Sequence, residues 1–261
     1  MKKPISFIVA MSMTSSLVLP MAAFAQEPTS TETIKVDAVK ACTDRTIKWE
    51  AEWADKQVKL AERLADQRAD ADARITKERD ERNAKMLSNR EDAEAKRLEN
   101  RARQDAKLAE KNASEALKAA IAAYRSSVDA AVNTRKSAED AANAAFKTAH
   151  ETSLNARRAS IDTAIATRKS AIEAAYKEWQ TRCGETGQAR KTANEKFRSA
   201  IKSARETFKK SVETAQSTHK NAMKAAQETR QTAVKSAVES FKKAVESAKT
   251  QFKAAKDAAS S

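Results

Sequence analysis

An eleven-residue repeat constrains this chain more than any other feature. In one frame it reads Ser114–Tyr124 (SEALKAAIAAY), Arg125–Arg135 (RSSVDAAVNTR), Lys136–Phe146 (KSAEDAANAAF) and onward to Lys169–Trp179 (KSAIEAAYKEW). After a short break it resumes, from Gly187–Phe197 (GQARKTANEKF) to Lys242–Phe252 (KKAVESAKTQF). Eleven residues complete three helical turns at about 3.67 residues per turn, close to the natural 3.6, so an apolar seam barely drifts around the helix. The repeat predicts an all-α fold: an elongated antiparallel three-helix coiled-coil bundle.

Composition agrees. The 261 residues include two glycines and three prolines, against roughly 7% and 5% in globular chains. Turns are therefore scarce, and an α/β fold with many loops is excluded. Residues 1–25 read as a bacterial-type signal peptide: Lys2 and Lys3, an apolar stretch from Ile5 to Leu19, Pro20, then Ala23-Phe24-Ala25 before the cleavage point. Gln26 and not a cysteine stands directly after that point, which argues against a lipid-modified N-terminus. The mature chain is expected to be exported, periplasmic or extracellular, with a short tail at 26–33, a helical rod over 34–258, and a tail at 259–261.

The cysteines place the first fold-back. Export puts Cys42 and Cys183 where disulfides persist, and residue 112 lies midway between them. There stands Asn112-Ala113-Ser114-Glu115, an N-cap residue with Glu three positions on, the pattern of a capping box. Helix A is expected over about 34–110 and helix B over about 113–182. Pairing residues whose numbers add to 225, as the cysteines' do, sets Trp49 by Tyr176, Trp53 by Ile172, Leu60 by Ile165 and Leu64 by Ile161. Gly184 suits a left-handed cap and Thr186 an N-cap, so helix C follows over about 187–258. Centring that second turn near 184.5 pairs Ile172 with Phe197, Ile161 with Phe208, Phe146 with Met223, Val128 with Phe241 and Leu117 with Phe252. If residue 112 stayed helical, two antiparallel chains would satisfy the same cysteine numbers as a swapped dimer.

No catalytic set emerges. There is no Gly-rich phosphate loop, no zinc-spaced cysteine pair and no Ser/His/Asp cluster, so no enzyme, cofactor, metal site or small-molecule substrate is expected. His150 and His219 fall at one level of the expected bundle, as partly buried seam histidines. Arg135, Arg157, Arg168 and Arg230 take the last repeat position, which elsewhere holds an aromatic ring; each can lay its stem along the seam and release its charge to water. Basic residues recur along helix B, where Asp129, Asp140, Glu151, Asp162 and Glu173 compensate them four places on. Helix C is less compensated. Its stripe, Arg198, Lys209, Lys220, Lys242 and Lys253, is the candidate anion-binding surface.

The Ala/Lys/Glu character of Lys242–Phe252 and the following Lys-Ala-Ala-Lys-Asp-Ala-Ala run resembles the eleven-residue motif of late-embryogenesis-abundant proteins. More loosely it resembles the lipid-binding repeats of exchangeable apolipoproteins. Those resemblances imply desiccation protection or reversible lipid coating. A ring at a fixed phase and paired cysteines depart from the first pattern, and the missing prolines depart from the second. The function expected from the residues themselves is a non-enzymatic spacer, scaffold or protein-interaction surface at the cell envelope. Its partner would be another protein or a second copy of the chain. The alternative is a binder of anionic lipid, acidic polysaccharide or nucleic acid through the helix C stripe.

Overall fold

The computed structural model describes residues 31–258, with side chains from residue 36. The expected signal peptide lies outside the described residues. Three helices account for nearly all of them: α1 (Thr31–Glu110), α2 (Glu115–Gln180) and α3 (Gly187–Ala258), and no strand occurs among the described residues. At about 1.5 Å per residue the helices are roughly 100–120 Å long.

Both turns fall where the sequence places them, but their chemistry differs. Asn112 does not cap α2. It adopts a left-handed backbone (φ 46°), which Asn tolerates better than most residues, and terminates α1. Behind it, the Ala113 N–H donates to Leu108 O and the Asn112 N–H to Ala109 O, satisfying carbonyls that the helix end leaves open. Ser114 caps α2 instead, its Oγ accepting from the Leu117 N–H at 3.3 Å. At the second turn the left-handed glycine is Gly187 (φ 61°), not Gly184. Gly184 lies close against α1: a Cβ there would stand 3.3 Å from Val39 Cγ2.

The two helix interfaces are unlike. Between α2 and α3 the backbones run within 8 Å of each other along the rod, whereas α1 comes that close to α2 at few places and nowhere to α3. Alanine explains the tight pair. Ala120, Ala131, Ala142 and Ala164 on α2 are buried, as are Ala193, Ala204, Ala215, Ala237 and Ala248 on α3; Ala226 is half-buried. Small side chains at eleven-residue steps let the axes approach, while each buries little apolar area.

Between α1 and α2 long polar side chains bridge the wider gap. Arg68, Arg79, Arg90 and Arg101, eleven apart on α1, reach Asp162, Glu151, Asp140 and Asp129, eleven apart on α2, at 2.5, 3.1, 2.8 and 2.6 Å. A reciprocal row sends Arg125, Lys136 and Arg158 to Asp105, Glu94 and Asp72 on α1. The acidic residues expected to neutralise their own helix therefore serve mainly to hold α1. Only where α1 offers Asn83 or Ala61 instead of a carboxylate do Lys147 and Lys169 turn to Glu151 and Glu173 on α2, at 4.0 and 3.9 Å. The hydrogen bond from Arg101 holds the Asp129 carboxyl below its ordinary range, and the one from Arg158 does the same for Asp72.

A compact core exists at one end. Trp53 stacks on Trp49, Trp49 on Tyr176 (centroids 3.6 Å apart), Tyr176 on Trp179, and both of these reach Phe197, so one run of rings crosses all three helices. Their polar handles are satisfied: Tyr176 Oη donates to Thr46 O, Trp53 Nε1 to Glu173 Oε1 and Trp179 Nε1 to Asn194 Oδ1. Next to this stack Cys42 and Cys183 come together with Cα atoms 5.6 Å apart, a disulfide pair separated by 141 residues. Cys183 is the most enclosed large side chain described. Trp49 against Tyr176 is the register expected from the cysteines.

Candidate functional site

The last position of the repeat forms rungs across the α2·α3 interface. At the two ends ring meets ring: Trp179 with Phe197, and Tyr124 with Phe252. Between them guanidinium meets ring. Arg168 lies over Phe208 and Arg135 over Phe241, each 4.7 Å from the centroid, while Arg230 on α3 lies over Phe146 on α2 at 5.6 Å. The facing pairs are thus displaced by seven residues from those expected. Phe197 meets Tyr176 and Trp179, Phe208 meets Arg168, Phe241 meets Arg135, and Phe252 meets Tyr124. Arg135, Arg168 and Arg230 thus lie in the seam: each covers the ring face of the opposite helix, a contact worth about 0.5–2 kcal/mol depending on desolvation.

One rung is different. Where α3 elsewhere carries Phe or Arg, His219 faces α2, with its ring centroid 6.3 Å from that of His150 and its Nδ1 2.8 Å from Ser153 Oγ. Burial lowers the pKa of both histidines. Arg157 and then His150 depress His219 further, against the opposing Ser153 hydrogen bond; at His150 Glu151 opposes the shift and Arg82 on α1 adds to it. Below about pH 6.5, the ordinary histidine value, the unfolded chain therefore binds more protons than the folded one. Stability is full above that pH and declines on acidification. His219→Phe should restore a ring under Arg157, raise stability by about 1 kcal/mol and flatten the decline in melting temperature between pH 7.5 and 5.5. Equal slopes for the two proteins would remove His219 from this role. Among the described residues no cluster of three metal-ligating side chains occurs.

The expected anion-binding residues Arg198, Lys209, Lys220, Lys242 and Lys253 are all exposed on one face of α3. They step about 16 Å apart, with Gln231 interrupting the row. Of the five, only Lys209 has an ion-pair partner among the described residues, Glu213 at 3.9 Å. Helix α3 holds 17 basic and 7 acidic residues, net +10, while α2 holds 10 and 8, net +2. The positive charge of the molecule is thus concentrated on the helix that takes no part in the α1·α2 ladder.

Because α1 stands away from α3, a groove opens between them with α2 as its floor. Beside residues 49–71 of α1 it encloses about 660 Å³. Apolar side chains from all three helices line it, among them Leu60, Leu64, Ile161, Ile172, Phe208 and Val212, with Arg157, Arg168 and Arg205 set among them. The Nε atoms of Arg157 and Arg168 are buried without a hydrogen-bond acceptor. Burial, reinforced by nearby Arg205, pulls Arg168 below the ordinary arginine range. Sequence reading missed this groove, since it depends on how far α1 is held from α3.

No protein-family model, curated protein or solved structure matches the chain. No helix among the described residues is long and apolar enough to cross a membrane.

Proposed function

We propose that the chain is an exported, non-enzymatic rod that serves as a spacer or scaffold and presents interaction surfaces at the bacterial cell envelope. One observation carries this reading. Three helices of 66–80 residues return along one another, with one end fixed by a cysteine pair and an aromatic stack. Such an object has a definite length and two distinct ends. The eleven-residue repeat makes that length adjustable in whole units without loss of seam. On α1 the apolar residues Val36, Ile47 and Val58 recur at the same step and are 57–67% exposed, a surface available to a protein partner.

A second reading is favoured by the unpaired lysines of α3: attraction of a polyanion or an anionic membrane surface, strong at low salt and lost as salt rises. One experiment separates the two. Removing Ala84–Glu94, Lys136–Phe146 and Arg230–Ser240 together deletes facing units from every helix and shortens the rod by about 16 Å. A second variant replaces Lys220, Lys242 and Lys253 by Gln. Each is used to complement a strain lacking the chain, with folding checked by melting. A spacer fails when shortened and works with the neutral stripe. Full function of the short rod, with failure of the Gln variant, would reject the spacer and favour the charged surface.

A further inference from the structure

We propose that the groove between α1 and α3 is a binding site for a single-chain anionic amphiphile, a long-chain fatty acid carboxylate, with the acyl chain along the α2 floor and the carboxylate at Arg168 and Arg205. The lining argues for the chain. Leu60 and Leu64 from α1, Ile161 and Ile172 from α2, and Phe208 and Val212 from α3 face a common space. The groove follows roughly 30 Å of α1, and one acyl chain spans about half of a 30 Å hydrocarbon core. A linear molecule of that length therefore fits lengthwise.

The arginines argue for the head group. At the rim of this same groove Arg68 takes Asp162 and Arg158 takes Asp72. Arg168 and Arg205 have no such partner among the described residues, and the Nε of Arg168 lacks an acceptor. An unpaired buried donor on a cation is costly, and a planar carboxylate meets a guanidinium through two parallel hydrogen bonds. The charge balance is one-sided. Glu213, which pairs with Lys209, is the single carboxylate lining this stretch, and Lys56 and Lys59 pair with Glu52 and Asp55 on their own helix. The half-buried Arg157 and Arg168, with Arg63 and Arg205, have no carboxylate partner among the described residues. A polyanion does not meet the apolar floor, and a bilayer surface cannot enter between the helices, so neither uses what the groove offers. The site shares only Lys209 with the α3 stripe and does not depend on the spacer reading.

The test uses the full mature chain with its cysteines oxidised, titrated with palmitate below micelle formation. Binding is followed by calorimetry and by the emission of Trp49 and Trp53, which line the groove. Saturable binding of one palmitate is expected, with hexadecanol, the uncharged analogue, at least tenfold weaker. Arg168→Gln and Arg205→Gln together should weaken palmitate at least tenfold while leaving hexadecanol unchanged, with helicity as in the parent. Ile161→Glu should abolish both. Equal affinity for the two ligands would overturn the proposal, as would palmitate binding that survives the arginine pair. Loss of binding on changing Lys220, Lys242 and Lys253 to Gln would assign the ligand to the α3 face instead. Absence of any saturable binding would also reject it.

Discussion

Reduction of the disulfide at high salt should release α1 while α2 and α3 remain a folded hairpin. The argument rests on the unlike interfaces. Helices α2 and α3 meet through buried alanines and tilted ring pairs, which salt does not weaken. Helix α1 is held along most of its length by arginine–carboxylate pairs that are partly exposed, and pairs of this kind typically contribute about 0.2–1 kcal/mol each and are screened by salt. What keeps α1 in place is then the aromatic stack at Trp49 and the Cys42–Cys183 link. Closing a loop of 141 residues contributes roughly 5 kcal/mol in the chain-entropy model. Hydrogen exchange of Cys42→Ser in 1 M salt is expected to show α1 losing protection beyond residue 60, with α2 and α3 still protected. Simultaneous loss in all three helices would show that α1 belongs to the same cooperative unit. Acid acts in the same direction. Asp129 and Asp72 have lowered pKa values, so their contribution is complete above the ordinary aspartate value of about 3.9 and is lost as pH falls through the lowered ones.

Replacing Ala204 by Leu should be among the most damaging single substitutions in the protein. Ala204 is 7% exposed in the narrow α2·α3 seam, where the backbones leave no space for added methyl groups. Overpacking of this kind costs about 1–3 kcal/mol, and in a rod it propagates because the helices cannot separate at one level alone. By contrast Ala71→Leu, whose side chain lines the open groove beside α1, should be neutral or stabilising. Denaturant melting of the two variants decides the matter. Similar losses for both would mean that α1 packs as tightly as α3 does.

The length and order of the helices could be read from the repeat and from the scarcity of glycine and proline. The cysteines supplied the first return and set Trp49 against Tyr176. Register at the second turn was harder. Eleven-residue periodicity makes several offsets look alike, and large apolar residues were matched with one another when Arg135, Arg168 and Arg230 were in fact the partners of Phe241, Phe208 and Phe146. Arginine over a ring is apolar in geometry and charged in sequence, so hydrophobic pairing overlooks it. The ladder was visible in principle. Arg68, Arg79, Arg90 and Arg101 step by eleven, as do Asp129, Asp140, Glu151 and Asp162, but near-zero net charge on α1 concealed that order. Asn112 and Gly184 were assigned the wrong turn roles because left-handed backbone and close approach both favour small or polar residues.

Solution scattering of the unreduced protein, with its mass determined on the same sample, tests the double fold-back most directly. A monomer with a maximum dimension of about 120 Å, the length of α1 at 1.5 Å per residue, is the predicted result. A particle of twice the mass and roughly twice the length would mean that α1 and α2 run on as one helix and that Cys42 meets Cys183 of a second chain, contradicting the three-helix rod.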